Sequence, residues 1–128
     1  MAKFRSVSEA DRPEVEAWIA ADDSHRGQMT ADKFLVPGST YALYAVGDEQ
    51  GTVMYVKQQA EGSKTRMHIQ FGPDRRRVMN VMREGFPVVA SDAKGRGFTG
   101  VVFYSYSPAL VKFAMKEFGF RADCEMTL

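Results

Sequence analysis

The chain has 128 residues, 45% hydrophobic and 26% charged, with 17 Lys and Arg against 16 Asp and Glu for a formal net charge of +1. That length fits one domain over residues 1–128 with a real hydrophobic core, and the composition excludes a disordered chain. The near balance of charge excludes a surface built throughout for nucleic acid or an acidic membrane, and no run of about 18 apolar residues marks a membrane helix.

The polar opening Met1 to Ser8 lacks the apolar segment of an export signal, and the single cysteine, Cys124, has no internal partner for a disulfide. The expectation is a cytoplasmic protein with neither nucleic acid nor membrane as partner. Lys3 to Val7 reads as a short first strand. Asp11 stands as the N-cap of a helix with Glu14 three residues on and Pro13 in the first turn, and Val15, Trp18 and Ile19 form its buried stripe to about Ala21. Asp22 to Gly27 is too polar and turn-rich to continue it. Thr30 caps a short turn carrying Phe34 and Leu35, closed by Pro37-Gly38.

Thr40 to Val46 and Gly51 to Gln58 read as two strands joined by a hairpin loop, and Glu61 to Lys64 turns the chain into a fourth strand. There Met67, Ile69 and Phe71 alternate with His68 and Gln70, the period of a strand with two different faces. Gly72-Pro73 breaks the ladder and Asp74 is placed to cap a helix. Val78, Val81, Met82 and Phe86 then recur at helical spacing, with Arg75, Arg76, Asn80 and Arg83 on the other side, predicting an amphipathic helix of about a dozen residues. Its first N–H groups, beside Arg75, Arg76 and Arg77, suit an anion and above all a phosphate. The same residues also read as an ordinary solvated first turn.

Ser91 to Gly97 looks like a loop, and Phe98 to Tyr106 supplies a dense β-forming run. A helix between that run and the fourth strand is a β-α-β crossover, which makes the two strands parallel. Ser107 and Pro108 open a last helix with Leu110, Val111, Ala114, Met115 and Phe118 inward and Gly119 closing it. Phe120 to Leu128 reads as a final strand.

The order strand, helix, short helix, three-strand meander, helix, strand, helix, strand resembles the GNAT superfamily of N-acetyltransferases. Ser107 to Phe120, ending Glu117-Phe118-Gly119-Phe120, looks like the family's last helix closing on a Gly-Phe. Ser6 to Pro13 is similar to its first strand-to-helix junction, and Gly51-Thr52-Val53-Met54-Tyr55-Val56 to its third strand. The resemblance implies an α/β (α+β) fold, a mixed, mainly antiparallel sheet of about six strands with about four helices, splayed between the fourth and fifth strands. It implies acetyl-coenzyme A as co-substrate, its pantetheine arm along Ile69, Gln70 and Phe71 and its pyrophosphate at the turn and helix start, Gly72, Arg75, Arg76, Arg77 and Val78. The implied reaction is direct attack of an amine, on a small molecule or a peptide, upon the thioester. The chain departs from the family in two places. Asp74, Arg77 and Met79 stand at the defined positions of its Q/R-x-x-G-x-G/A phosphate loop, and Met115 stands where many members carry a proton-donating tyrosine. The alternative is a GNAT-fold module that binds or scaffolds without catalysis. The family's seventh strand is expected to be absent or supplied otherwise, and pairing of the Phe120–Leu128 edge with a second copy would give a homodimer.

Acetyl transfer needs a base near neutrality, and an imidazole on the fourth strand, His68, has the right chemistry and place. A half-exposed strand histidine is its other reading. Tyr104 or Tyr106 can replace the missing proton donor, and Asp22, Asp23 and His25 fall in the loop that, by resemblance, covers the acceptor. Gly95 to Gly100 spells G-x-G-x-x-G but precedes a strand instead of opening a helix, so it is no dinucleotide site. Two histidines and one cysteine, widely spaced, give no zinc set.

Overall fold

The structure, a computed structural model, describes residues 2–22, 29–35, 40–103, 105 and 107–128. In chain order these form β1 (Lys3–Ser6), α1 (Arg12–Ala21), α2 (Ala31–Leu35), β2 (Thr40–Asp48), β3 (Gly51–Glu61), β4 (Lys64–Phe71), α3 (Arg75–Gly95), β5 (Gly100–Val102), α4 (Pro108–Phe118) and β6 (Glu125–Thr127). The six strands lie side by side in sequence order, antiparallel except for the parallel pair β4 and β5. This is the mixed sheet and crossover that the sequence predicts.

Alternation along the strands builds two cores. Val46, Met54, Val56 and Met67 pack with Val78, Val81, Met82, Phe86 and Val89 of α3 and Ala114 of α4. Ala45 and Tyr55 meet Val15 and Ile19 of α1 and Ala31 and Phe34 of α2 on the opposite face. Burial of these apolar side chains, at about 25 cal/mol per Å² removed from water, is the main force that holds the layers together.

Local signals set several helix ends as expected. Thr30 Oγ1 accepts Lys33 N–H at 3.1 Å, Asp74 Oδ1 accepts Arg77 N–H at 3.2 Å, and Ser107 Oγ accepts Leu110 N–H at 3.3 Å. Gly119 ends α4 in the left-handed region at φ 78°.

Four expectations need correction. Asp11 stands at the N-cap of α1, as expected, but makes no capping bond there: it also ends a 3-10 turn, Glu9–Asp11, and its carboxylate accepts Ser8 N–H at 2.9 Å and a two-pronged ion pair from Arg5 at 2.7 and 2.9 Å. Ser91 to Gly97 is not a loop through most of its length, because α3 runs to Gly95. Val89 and Ala93 continue its buried stripe, while Pro87 lies on the exposed side, where water can satisfy the carbonyl left without a partner. The fifth strand is three residues long, not nine. The last is Glu125–Thr127, because Cys124, at φ 64° with its N–H on Arg121 O, turns the chain first.

Candidate active site

The site begins where the pairing of two strands ends. β5 pairs with β4 only at Lys64, Thr65 and Arg66, opposite Gly100, Val101 and Val102. Phe103 N–H bonds Cys124 O at 3.1 Å, which carries the β5–β6 ladder one residue further. β4 meanwhile stays paired with β3 to Phe71. Its far half is therefore paired on one edge and, among the described residues, has no strand partner on the other.

The phase of the β3–β4 ladder tells which groups face that second edge. Gly72 N–H donates to Val53 O at 2.8 Å, and antiparallel pairing alternates without a register shift from there, so the main chain of Gln70 and His68 faces β3. Ile69 directs its N–H and C=O, and Phe71 its N–H, the other way, toward the β5 side, while Phe71 O accepts from the Gln70 amide at 3.1 Å. The Ile69 and Phe71 side chains lie on the α3–α4 core.

His68 and Gln70 point to the opposite face, under α1 and α2. Gln70 is fully buried, and its amide donates to Trp18 O at 3.3 Å, Asp22 Oδ2 at 3.2 Å and Phe71 O at 3.1 Å. Its main chain faces β3 and its amide is taken by these three oxygens, so Gln70, expected as a cofactor contact, is a clasp between β4 and the end of α1. His68 is half-buried, with Nε2 2.8 Å from Gln59 Oε1. With that oxygen as acceptor, Nε2 carries the hydrogen and Nδ1 is the basic nitrogen. Its cross-strand neighbour Lys57 is 7% exposed and donates from Nζ to Lys33 O at 2.8 Å, at the end of α2. Burial pulls the Lys57 pKa down.

The turn into α3 is tighter than expected of an open anion cradle. A Cβ on Gly72 would lie 2.9 Å from the Trp18 ring and 3.0 Å from Val53 O, so glycine is there to admit Trp18. Asp74 places its own carboxylate on the Arg77 N–H. Arg77 itself is committed: Nε and Nη2 hold the two Asp48 oxygens at 3.0 and 2.6 Å, and Nη2 also reaches Gly51 O at 3.0 Å. Val78 is a core side chain whose N–H bonds Asp74 O at 3.0 Å. Arg75 and Arg76 are exposed, and no carboxylate among the described residues pairs with either.

Ile69 and Phe71 thus lie on the free edge of β4, Arg75 and Arg76 on the first turn of the helix that follows it, and His68 on the α1–α2 face. Asp23, His25, Tyr104 and Tyr106 lie outside the described residues. Two partners escape a reading of the sequence, Gln59 for His68 and Asp48 for Arg77, because cross-strand register and hairpin position are tertiary facts. A cleft of about 400 Å³ between α1 and α2 lies apart from the free edge of β4, and Arg12, one of its walls, is bonded to Glu9 and Asp32. Among the described residues there is no group of His, Cys, Asp and Glu able to hold a metal, and no helix long and apolar enough to cross a membrane.

No protein-family model and no curated protein matches the sequence. Solved structures do match in shape. A domain from Methanocaldococcus jannaschii superposes with a TM-score of 0.77 at 12% identity, covering 100% of this chain and 99% of that one. A GNAT-family acetyltransferase from Staphylococcus aureus gives 0.71 at 10% identity over 94% and 85% of the two chains. The PaiA N-acetyltransferase of Thermoplasma acidophilum, solved in complex with coenzyme A, gives 0.64 at 12% identity over 94% and 89%. The chain has the GNAT fold.

Its residues fit one half of coenzyme A better than the other. The amides of a pantetheine arm match the main-chain groups that Ile69, by N–H and C=O, and Phe71, by N–H, turn away from β3. A diphosphate cradled by main-chain N–H groups does not fit the start of α3, where Asp74 occupies a donor and Met79, 39% exposed, adds a bulky side chain to the first turns.

Proposed function

We propose that this chain is an N-acetyltransferase that moves an acetyl group from a coenzyme A-type thioester to an amine by direct attack. The observation that carries the reading is the end of the described β4–β5 pairing at Arg66 and Val102, short of Ile69 and Phe71, in a chain whose fold is that of N-acetyltransferases. The thioester, when bound, supplies the activated acetyl group. Ile69 and Phe71 would hold the pantetheine amides through main-chain bonds, and Arg75 and Arg76 would meet phosphate with charge-assisted ones. His68 would take the proton that the amine loses as its nitrogen bonds the acyl carbon. Gln59 fixes the ring, and the covering helices limit water on that face. By sequence position, Tyr104 or Tyr106 would return a proton to the departing thiolate, a task for which Met115 has no donor. The acceptor is a small-molecule or peptide amine.

The test is release of free thiol from acetyl-coenzyme A on addition of a panel of amines. Amine-dependent release with one acetylated product per thiol is expected, and release by no amine, together with no heat on titrating coenzyme A, would contradict the reading. A second reading, a GNAT-fold module without catalysis, draws on the Asp74 carboxylate at the helix start and on Met115, 42% exposed at the usual tyrosine position. In that case coenzyme A leaves the thermal midpoint unmoved. A homodimer through the three-residue edge strand β6 is compatible with either reading.

A further inference from the structure

We infer that the thioester donor is recognised through its pantetheine arm and a single phosphate, so that 4′-phosphopantetheine thioesters serve this site as well as those of coenzyme A; the inference rests on the acyl-transfer reading above.

The start of α3 offers little to a nucleotide diphosphate. The Arg77 N–H is taken by Asp74 Oδ1 at 3.2 Å, and the Val78 N–H is within the helix ladder. The Arg77 guanidinium is spent on Asp48 and Gly51 O, and Gly72 is pressed against Trp18 instead of lying open to a ligand. An anion arriving there meets the Asp74 carboxylate at close range. What stays available among the described residues is the strand edge at Ile69 N–H and C=O and Phe71 N–H, and two exposed guanidinium groups without carboxylate partners, on Arg75 and Arg76. The phosphate of the arm carries up to about two negative charges as the free monoester and about one when esterified at both ends, and two arginines suffice for either. The nucleotide half of coenzyme A adds a second bridging phosphate and a third on the ribose, for which the helix start has no further unpaired cation among the described residues. Arg83, two turns on, is bonded to Glu117 at 3.4 Å and stacked over Phe113.

The chemistry is unchanged by the substitution of donor. The amine nitrogen forms a bond to the acyl carbon, the carbon–sulfur bond breaks with its electron pair on sulfur, and the proton lost by nitrogen ends on the thiol of 4′-phosphopantetheine. No oxidant or reductant is needed.

Calorimetry on the full chain with coenzyme A, 4′-phosphopantetheine, pantetheine and adenosine 3′,5′-bisphosphate tests this. The expected result is that 4′-phosphopantetheine binds within about 3-fold of coenzyme A, that pantetheine binds about 10-fold more weakly, and that the bisphosphate does not compete at millimolar concentration. Coenzyme A binding about 30-fold or more tighter than 4′-phosphopantetheine, or micromolar competition by the bisphosphate, overturns the inference while leaving the acyl-transfer reading intact. Heat from none of the four overturns both. One further arm presents the phosphopantetheine on an acyl carrier protein. Tighter binding than the free compound makes a protein the source of the arm and supports the inference, as does equal binding, which makes the free thioester the source.

Discussion

Arg77 grips Asp48 through both carboxylate oxygens, at 2.6 and 3.0 Å, and so ties the β2–β3 hairpin to the first turn of α3. The guanidinium holds the Asp48 pKa down at about 2. A carboxylate depressed in the folded state contributes stability that is present above its ordinary value, near 4, and is lost as pH falls toward 2. Asp48→Ala and Arg77→Ala should therefore lower the thermal midpoint at pH 7 to a similar extent, and the double variant should fall no further than either. Additive losses would show that the two act separately. Arg76→Ala, by contrast, should leave the midpoint unchanged and weaken coenzyme A by about 1–3 kcal/mol, as loss of a charge-assisted bond does.

At Gly72 the turn into α3 admits glycine alone. Its missing Cβ leaves room for Trp18 at 2.9 Å and for Val53 O at 3.0 Å, both on parts of the fold that cannot move independently. Gly72→Ala should cost about 1–3 kcal/mol in urea unfolding, the usual penalty of overpacking. If the midpoint is kept, α1 lies farther from β4 than the structure has it.

Acid should loosen the junction of β1 with α1. Asp11 is nearly buried, and Arg5, with Ser8 N–H, draws its pKa down to about 2. Tyr55, held protonated by burial and by Glu14 at 2.6 Å, completes the cluster. As with Asp48, a lowered folded-state pKa makes the contribution full above about pH 4 and removes it as pH falls through about 2. Asp11→Ala should cost about 1–3 kcal/mol at pH 7, and the difference from the parent chain should shrink when both are measured near pH 2. A pH-independent difference would mean that packing, not charge, is what the carboxylate supplies.

For the chemistry, His68→Gln should lower the acetylation rate by about 10²–10⁴-fold with coenzyme A affinity within about 2-fold of the parent, and should remove the low-pH limb of the rate profile. Retained rate with the same pH limb would move the base elsewhere. Gln59→Leu, acting only through the ring, should give a smaller loss and shift that limb instead of abolishing it.

The parts legible in the sequence are those written locally. Thr30, Asp74 and Ser107 cap their helices because a short polar side chain reaches the N–H groups three residues on, whatever surrounds it. The strand order is carried by alternation and turn residues. Asp11 has the same local signal and is diverted, because Arg5 from β1 offers it a stronger partner. The α3 segment beyond Pro87 reads as a loop from Ser91, Gly95 and Gly97, yet the helical repeat at Val89 and Ala93 is what the core responds to. Gln70 alternates with apolar neighbours as a solvent-facing residue would, and only the passage of α1 over β4 makes it a buried clasp. Asp74 is visible as a cap; that Arg77 is taken by Asp48, and so lost to a ligand, depends on where a hairpin distant in sequence comes to lie.

The open edge of β4 is the feature on which the transferase reading stands. An amide-resolved NMR titration with coenzyme A reads it directly. The largest shifts, and slowed hydrogen exchange, are expected at the Ile69 and Phe71 amides, with the Gln70 and His68 amides, bonded to β3, moving least among their neighbours. Saturating shifts confined to the α1–α2 face, or Ile69 and Phe71 amides already protected in the ligand-free chain and unmoved by the ligand, would contradict it.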